Sequence, residues 1–324
     1  MEEVVIIADP KGKGYDFAKG VYNYVSEHSG RKFPVRMVHI ERTDFKDGEF
    51  KVKIADNVRR AKCFFIHDSS KKPSDWFTEL LLTLQAAIFS SPEEMNIVLP
   101  YTKFARQDRK DESRVSVNAK VLADTMSLYA TRGMTVDLHV PQMQEYFGIP
   151  FDNLYSFPTL VNYLMKIHPE ILENLVIVSP DMGGAKRVDA LAKRFANKGI
   201  KAEVALGHKR REKENEVSKI AIIGDVENKN CIIIDDIIDT GNTLVKTAEE
   251  LRKKGAKTIF AYAAHGLFTD GTDKFKVFDK VLISDTIHQE PADKKEIVSL
   301  VDLFGEAVYR TVIGESLSDL FENG

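Results

Sequence analysis

The residues of this 324-residue chain best equipped for chemistry lie in the run Cys231-Ile232-Ile233-Ile234-Asp235-Asp236-Ile237-Ile238-Asp239-Thr240-Gly241-Asn242-Thr243-Leu244. Four apolar residues in succession suit a parallel strand buried on both faces. Two acids follow at once, and a carboxylate buried without a partner is costly. The pair is therefore expected where the strand leaves the core, at the carboxyl edge where open α/β sheets bind ligands. Asp239 to Thr243 then supplies a turn and two hydroxyls, and Leu244, Val245, Ala248 and Leu251 fall at helical spacing before Gly255. Backbone N–H groups at such a helix start, with Thr240, Gly241 and Thr243, make a seat for a phosphate monoester. Adjacent carboxylates accept hydrogen bonds from sugar hydroxyls. A plainer reading stands beside this one, in which Asp239 or Thr240 caps the helix and the acids form a solvated strand end. The order of strand, acids, turn and helix favours the phosphate-sugar site.

Other segments carry groups of the same kind: Phe45-Lys46-Asp47-Gly48-Glu49, Ala105-Arg106-Gln107-Asp108-Arg109-Lys110, Asp137-Leu138-His139, Ser179-Pro180-Asp181-Met182-Gly183-Gly184 and Lys209-Arg210-Arg211. Two further segments lie toward the C-terminus, Ala264-His265-Gly266-Leu267-Phe268 and Gly314-Glu315-Ser316-Leu317-Ser318-Asp319-Leu320-Phe321. Alone, the run around Asp235 resembles the phosphoribosyl diphosphate signature common to type I phosphoribosyltransferases and ribose-phosphate diphosphokinases, and does not choose between them. In kind and order the full set resembles the ribose-phosphate diphosphokinases over essentially the whole chain. Phosphoribosyltransferases lack the doubled length and the N-terminal segments.

Phe45 offers an aromatic face for adenine, and Asp47 and Glu49 offer acceptors for its exocyclic amine. The alternative is a turn after a strand with Phe45 in the core. The resemblance implies that this loop reaches the nucleotide of a neighbouring subunit. Arg106 presents a planar set of donors to phosphate oxygens, and Gln107 adds an amide. A solvated charged loop is the other reading of this stretch. The resemblance implies ATP contacts for Arg106 and Gln107, with Asp108 organising them. His139 and Asp181 each follow a strand-like run, one in each half, and are expected to converge on a cleft between the halves. Magnesium prefers oxygen and keeps waters, so few protein ligands suffice for it. The resemblance implies that both residues meet magnesium-ATP, directly or through water. Gly183 and Gly184 precede the helix-like Ala185 to Phe195, a second geometry suited to an anion. No Gly-x4-Gly-Lys-Ser/Thr loop occurs in the chain, so ATP binding by a P-loop is excluded. His208 to Glu216 mixes cations with acids, has no apolar period, and reads as an exposed loop. The resemblance places Lys209 and Arg211 in a flexible catalytic loop that closes on the transferring group. Glu212 stands where many relatives carry proline, and Asn242 where glycine is common.

Strand-like runs alternate with helix-like ones along the chain: Val4 to Ile7, Val35 to His39, Cys63 to Ile66, Ile97 to Leu99 and Met134 to Val136. The rhythm restarts at Leu175 to Val178, then Ala202 to Leu206, Cys231 to Ile234, Thr258 to Ala264 and Lys280 to Ile283. Trp76 to Phe89, Ala119 to Tyr129 and Val298 to Ile313 are the clearest helical patterns. The expected fold is α/β, with two similar doubly wound domains and mostly parallel central sheets. Both resemble type I phosphoribosyltransferases. Turn and breaker residues between Gly148 and Pro158 place the junction there, giving domains 1–150 for the ATP side and 151–324 for ribose 5-phosphate and the catalytic loop. A net charge of −3 gives no general attraction to nucleic acid or anionic membrane. Cys63 and Cys231 lie in apolar runs, which points to buried thiols and the reducing cytosol. No signal-peptide pattern opens the chain and no window is apolar enough for a membrane span, so a cytoplasmic protein is expected.

The resemblance implies transfer of the β,γ-diphosphoryl group of ATP to the anomeric hydroxyl of ribose 5-phosphate, with Mg2+, in a homo-oligomer of dimers assembled into larger rings. Asp235 and Asp236 are expected to hold the ribose hydroxyls, and Asp239, Thr240, Gly241, Asn242 and Thr243 the 5-phosphate. No protein nucleophile is apparent, so no covalent intermediate is expected. A non-catalytic regulatory subunit and a phosphoribosyltransferase are the competing readings. Lys209, Arg211, His139 and Asp181 are all present, against the first; no base-recognition hood is identifiable, against the second. The Ser316 to Phe321 tail resembles a region that helps form a regulatory phosphate or ADP site in some relatives; its hydroxyls serve equally as caps.

Overall fold

A computed structural model of the chain describes residues 3–30, 32–210 and 219–322. It divides into two compact units. The first holds the residues up to Tyr155, Thr286–His288 and those from Leu300 onward; the second holds Ser156–Asp285 and Gln289–Ser299.

The first unit contains β1 (Val4–Ala8), α1 (Tyr15–Ser29), β2 (Val35–Asp44), β3 (Phe50–Ile54), β4 (Lys62–Ile66), α2 (Pro73–Phe89), β5 (Glu94–Leu99), α3 (Asn118–Met126), β6 (Arg132–Val136) and β7 (Phe151–Leu154). The second contains α4 (Phe157–Ile167), β8 (Leu175–Ser179), α5 (Ala185–Asn197), β9 (Ala202–Arg210), β10 (Lys219–Ile223), β11 (Asn230–Ile238), α6 (Asn242–Lys253), β12 (Thr258–Gly266), β13 (Lys280–Ser284) and β14 (Lys295–Val298). The chain then returns to the first unit with α7 (Val301–Ile313) and α8 (Asp319–Glu322).

The two sheets repeat one plan. Their orders are β3-β2-β1-β4-β5-β6-β7 and β10-β9-β8-β11-β12-β13-β14. All neighbours run parallel except the hairpins β2–β3 and β9–β10. In each sheet the order reverses at one place, between β1 and β4 or between β8 and β11, and at such switch points open sheets hold ligands.

Central strands are apolar because helices cover both faces. Every residue of β1 and β8 is buried. In the first unit α2 and α3 cover the face of Val5 and Ile7, while α1 and α7 cover that of Val4 and Ile6. Helices α1 and α7 lie close: a Cβ on Gly305 would meet the Tyr24 ring at 2.5 Å, and Phe17 meets Phe304 edge-on at 5.4 Å. Phe304 is fully buried, a burial that contributes roughly 1.5–3 kcal/mol. In the second unit α6 covers the face of Cys231 and Ile233, and α4 and α5 cover that of Ile232 and Ile234.

The expected strands are present, and four others join them: β3, β7, β10 and β14. All four are sheet edges. The chain crosses to the second unit between Tyr155 and Ser156; β7 belongs to the first sheet and α7 and α8 to the first unit, placements that a division at residue 150 does not give. Strand β11 does not stop at Ile234. It continues through both acids to Ile238, because β12 keeps pairing with it as far as Ile238 opposite Gly266. The stretch read as a loop from His208 is strand as far as Arg210, which pairs antiparallel with Lys219. Arg211 and Glu212 lie outside the described residues. Among the described residues no helix is long and apolar enough to cross a membrane. Cys63 and Cys231 are free, buried thiols, both pushed up to about 12, chiefly by burial.

Candidate active site

In the second unit β11 pairs with β8 only up to Ile233 opposite Val178, so its last residues are bonded on the β12 side alone. This opening at the switch point holds Asp235 and Asp236. Asp236 is 5% exposed and Asp235 24%. Neither is a bare solvated strand end. Arg187, in the first turns of α5, gives Nη1 to Asp235 at 3.2 Å and Nη2 to Asp236 at 2.9 Å. The Asp236 N–H also donates to Asp235 Oδ1 at 3.0 Å. Burial first, and then the charge of Asp236, hold the Asp235 carboxyl well above its ordinary value of 3.8, with Arg187 opposing.

The following turn places its backbone at the start of α6. Gly241, and not Asp239 or Thr240, is the residue immediately before the helix, with φ of 75°. Asp239 instead accepts from the Thr269 hydroxyl at 2.7 Å. A Cβ on Gly241 would collide with the buried Phe275 ring. Asn242 is the first residue of α6 and needs no positive φ; its Oδ1 accepts from Lys274 Nζ at 2.9 Å. Lys274 thereby brings a cation to this loop. Neither Arg187 nor Lys274 stood out in the sequence, since each sits in a charged stretch that reads as a solvated face.

Asp181 follows β8 and accepts from the Gly184 N–H at 3.2 Å, fixing the turn into α5. Its Oδ2 is uncommitted among the described residues. Lys209 lies in β9, its backbone opposite Ile220.

In the first unit Phe45 to Glu49 forms the tip of the β2–β3 hairpin. The Phe45 N–H donates to the Glu49 carbonyl at 2.7 Å, and the Glu49 N–H to Asp47 Oδ1 at 3.1 Å. Gly48 takes φ of 93°, a conformation natural to glycine. Phe45 is 49% exposed, so it is not a core residue. Arg42 stiffens the hairpin base, lying 3.7 Å from the centre of the Phe50 ring and 2.7 Å from Asp44.

Arg106 is exposed in the loop after β5. Gln107 spends its amide nitrogen on the Arg109 carbonyl and on Asp111, each at 3.0 Å, so it shapes the loop and leaves only its oxygen toward a ligand. The Asp108 carbonyl accepts from the Tyr146 hydroxyl at 2.8 Å, which ties the loop down. Three residues before Arg106, burial pushes the Lys103 ammonium down to about 8. His139 is exposed just beyond β6, after Asp137 at φ of 43°.

The first sheet has a cleft at its own switch point, of about 270 Å³, bordered by Asp9, Arg42, Asp68 and Lys71. There Lys71 joins Asp9 to the buried Glu79, at 2.5 Å each. Burial opposes the Lys71 charge, yet these two bonds raise its pKa. Burial pushes the neighbouring His67 down to about 3, so it is neutral.

Among the described residues no three His, Cys, Asp or Glu side chains gather to hold an ion. Asp181 in the second unit offers a carboxylate oxygen and His139 in the first an exposed imidazole; neither belongs to a protein cage for a metal among the described residues.

Comparison with known proteins agrees with these features. Residues 16–129 match the model for the N-terminal domain of ribose phosphate pyrophosphokinase, and residues 151–296 that for the phosphoribosyl transferase domain. The chain is 40% identical to the ribose-phosphate pyrophosphokinase of Chlorobaculum tepidum over 86% of each chain. It is 38% identical to that of Aquifex aeolicus over 92% of this chain and 95% of the relative. The crystal structure of phosphoribosylpyrophosphate synthetase from Mycobacterium smegmatis superposes with a TM-score of 0.83 at 25% identity, covering 97% of this chain and all of that one. With two domain models in register and homology along nearly its whole length, the chain belongs to the ribose-phosphate pyrophosphokinase family.

Proposed function

We propose that the chain transfers the β,γ-diphosphoryl group of ATP to the 1-hydroxyl of ribose 5-phosphate, giving 5-phosphoribosyl 1-diphosphate and AMP. Family membership supports the reaction. The observation that best supports the reading is the acid pair at the β8–β11 switch point running into the Gly241 helix start. Asp235 and Asp236 accept from the ribose hydroxyls, while the backbone from Asp239 to Thr243, with Lys274 beside it, receives the 5-phosphate.

On the nucleotide side, Arg106 takes phosphate oxygens and the loop that Gln107 and Asp108 hold in shape presents it. The 1-hydroxyl attacks the β-phosphorus in line: the O1–Pβ bond forms, the bond from Pβ to the bridging oxygen breaks with its electron pair leaving on AMP, and the hydroxyl proton passes to solvent. Such transfers depend on positioning and on neutralising charge. Lys209 and Arg211 supply cations to the transferring group. His139 and Asp181 are the residues that would meet magnesium bound with ATP, which would supply charge neutralisation at the phosphates.

Phe45, Asp47 and Glu49 contact the adenine of a neighbouring subunit in a homo-oligomer. An aromatic side chain half exposed at a hairpin tip has little packing to lose, whereas stacking on a base is worth about 1–3 kcal/mol. Phe45→Ala is therefore expected to raise the KM for ATP by about 5- to 150-fold with the melting temperature nearly unchanged. Steady-state kinetics at saturating ribose 5-phosphate measure this; an unaltered KM removes Phe45 from the nucleotide site.

A further inference from the structure

We infer that Arg187 is a positioning residue for ribose 5-phosphate, gripping Asp235 and Asp236 together and favouring the ionised forms that accept ribose hydroxyls. The inference rests on the assignment of those acids to the sugar.

Consecutive carboxylates in a partly closed site repel one another and resist ionising together. Asp236 is almost fully buried and Asp235 three-quarters so. The guanidinium of Arg187 reaches both at once, one amino group for each carboxylate. A lysine presents a single charged nitrogen and lacks this fork. Helix α5 anchors the arginine: Val188, Leu191 and Phe195 are fully buried, and Asp181 ties the turn before it. Arg187 comes from the helix covering the face of Ile232 and Ile234, and it meets the acids where β11 has no partner on the β8 side. That gap leaves Asp235 the more accessible of the two to a sugar while the arginine holds both.

The protonation state decides what the pair can do. An ionised carboxylate accepts from two hydroxyls; a protonated one presents a donor where an acceptor is needed. The Asp235 carboxyl is raised by burial and by Asp236 and is lowered by Arg187. From β12, Ala263 lies opposite it and His265 stands two residues further; β8 carries no titratable side chain. Ribose 5-phosphate binds the ionised pair, so its binding weakens as pH falls through the raised Asp235 value. Removing the arginine raises that value further and moves the loss to higher pH.

The test is kcat and KM for ribose 5-phosphate across pH in the full chain, for the wild type, Arg187→Gln and Arg187→Lys, with Asp235→Asn/Asp236→Asn as control. In Arg187→Gln the acid-side fall of kcat/KM for ribose 5-phosphate is expected to shift up by about one pH unit, a loss of about tenfold on that limb. The change lies in KM for the sugar, the KM for ATP stays within about twofold, and Arg187→Lys restores part of the shift. A pH profile coinciding with the wild type, or a loss confined to kcat, overturns the inference. If Arg187→Gln does not fold, Arg187→Lys decides: its limb must lie above that of the wild type. If the double asparagine variant keeps the wild-type KM for the sugar, the assignment of the acids is itself wrong and the role of Arg187 falls with it. An impaired double variant beside an unshifted Arg187→Gln sinks the role of Arg187 alone.

Discussion

Lys209→Ala is expected to lower kcat by about 10²- to 10³-fold, the usual loss when one donor to developing transition-state charge is removed. The physical reason is that the transferring diphosphoryl group spreads negative charge over several oxygens. A cation aimed at those oxygens acts chiefly in the transition state. The KM values for ATP and ribose 5-phosphate should therefore change little beside kcat. The fold has little at stake, because the backbone of Lys209 is held by β10 opposite Ile220 whatever its side chain. Following AMP release at saturating substrates, with circular dichroism to verify folding, separates the outcomes. Turnover unchanged by the substitution removes Lys209 from the reaction.

Gly241→Ala is expected to damage the sugar-phosphate half as severely, by a different route. Gly241 has φ of 75°, where alanine is strained by about 1 kcal/mol or more. In addition, its Cβ would strike Phe275, which is buried between the loop and the core. Relief requires the loop backbone to move, since the ring itself packs edge-on with Phe268 at 5.3 Å and beside Phe278 at 5.9 Å. Summed with overpacking of about 1–3 kcal/mol, the substitution costs roughly 2–4 kcal/mol. Expressed in the loop, that raises the KM for ribose 5-phosphate by at least about tenfold; expressed in the unit as a whole, it lowers the melting temperature. Calorimetric titration with ribose 5-phosphate and thermal unfolding measure the two shares. Wild-type values in both contradict the loop geometry.

Much of this architecture was legible in the sequence, and the gaps have physical causes. The central strands announced themselves because a strand covered on both faces must be apolar throughout, as Val4 to Ala8 is. The strands that escaped notice, β3, β7, β10 and β14, are the four sheet edges. Edge strands carry polar and charged residues that discourage further pairing, and Phe50 to Ile54 accordingly alternates with lysines. The end of β11 was misplaced because Asp235 and Asp236 look like the close of a strand, whereas Arg187 and continued pairing with β12 let the strand run on. Nothing local signals that partnership: Arg187 is 48 residues from Asp235, within Lys186-Arg187-Val188-Asp189. Gly241 was readable as a turn residue, but its seat against Phe275 required the fold.

The most direct measurement combines the purified full chain with magnesium-ATP and ribose 5-phosphate and follows both nucleotide and sugar products. The account predicts AMP and 5-phosphoribosyl 1-diphosphate in equal amounts, with neither formed when ribose 5-phosphate is left out. ADP with a ribose bisphosphate, or no AMP from a chain shown to be folded, would contradict it.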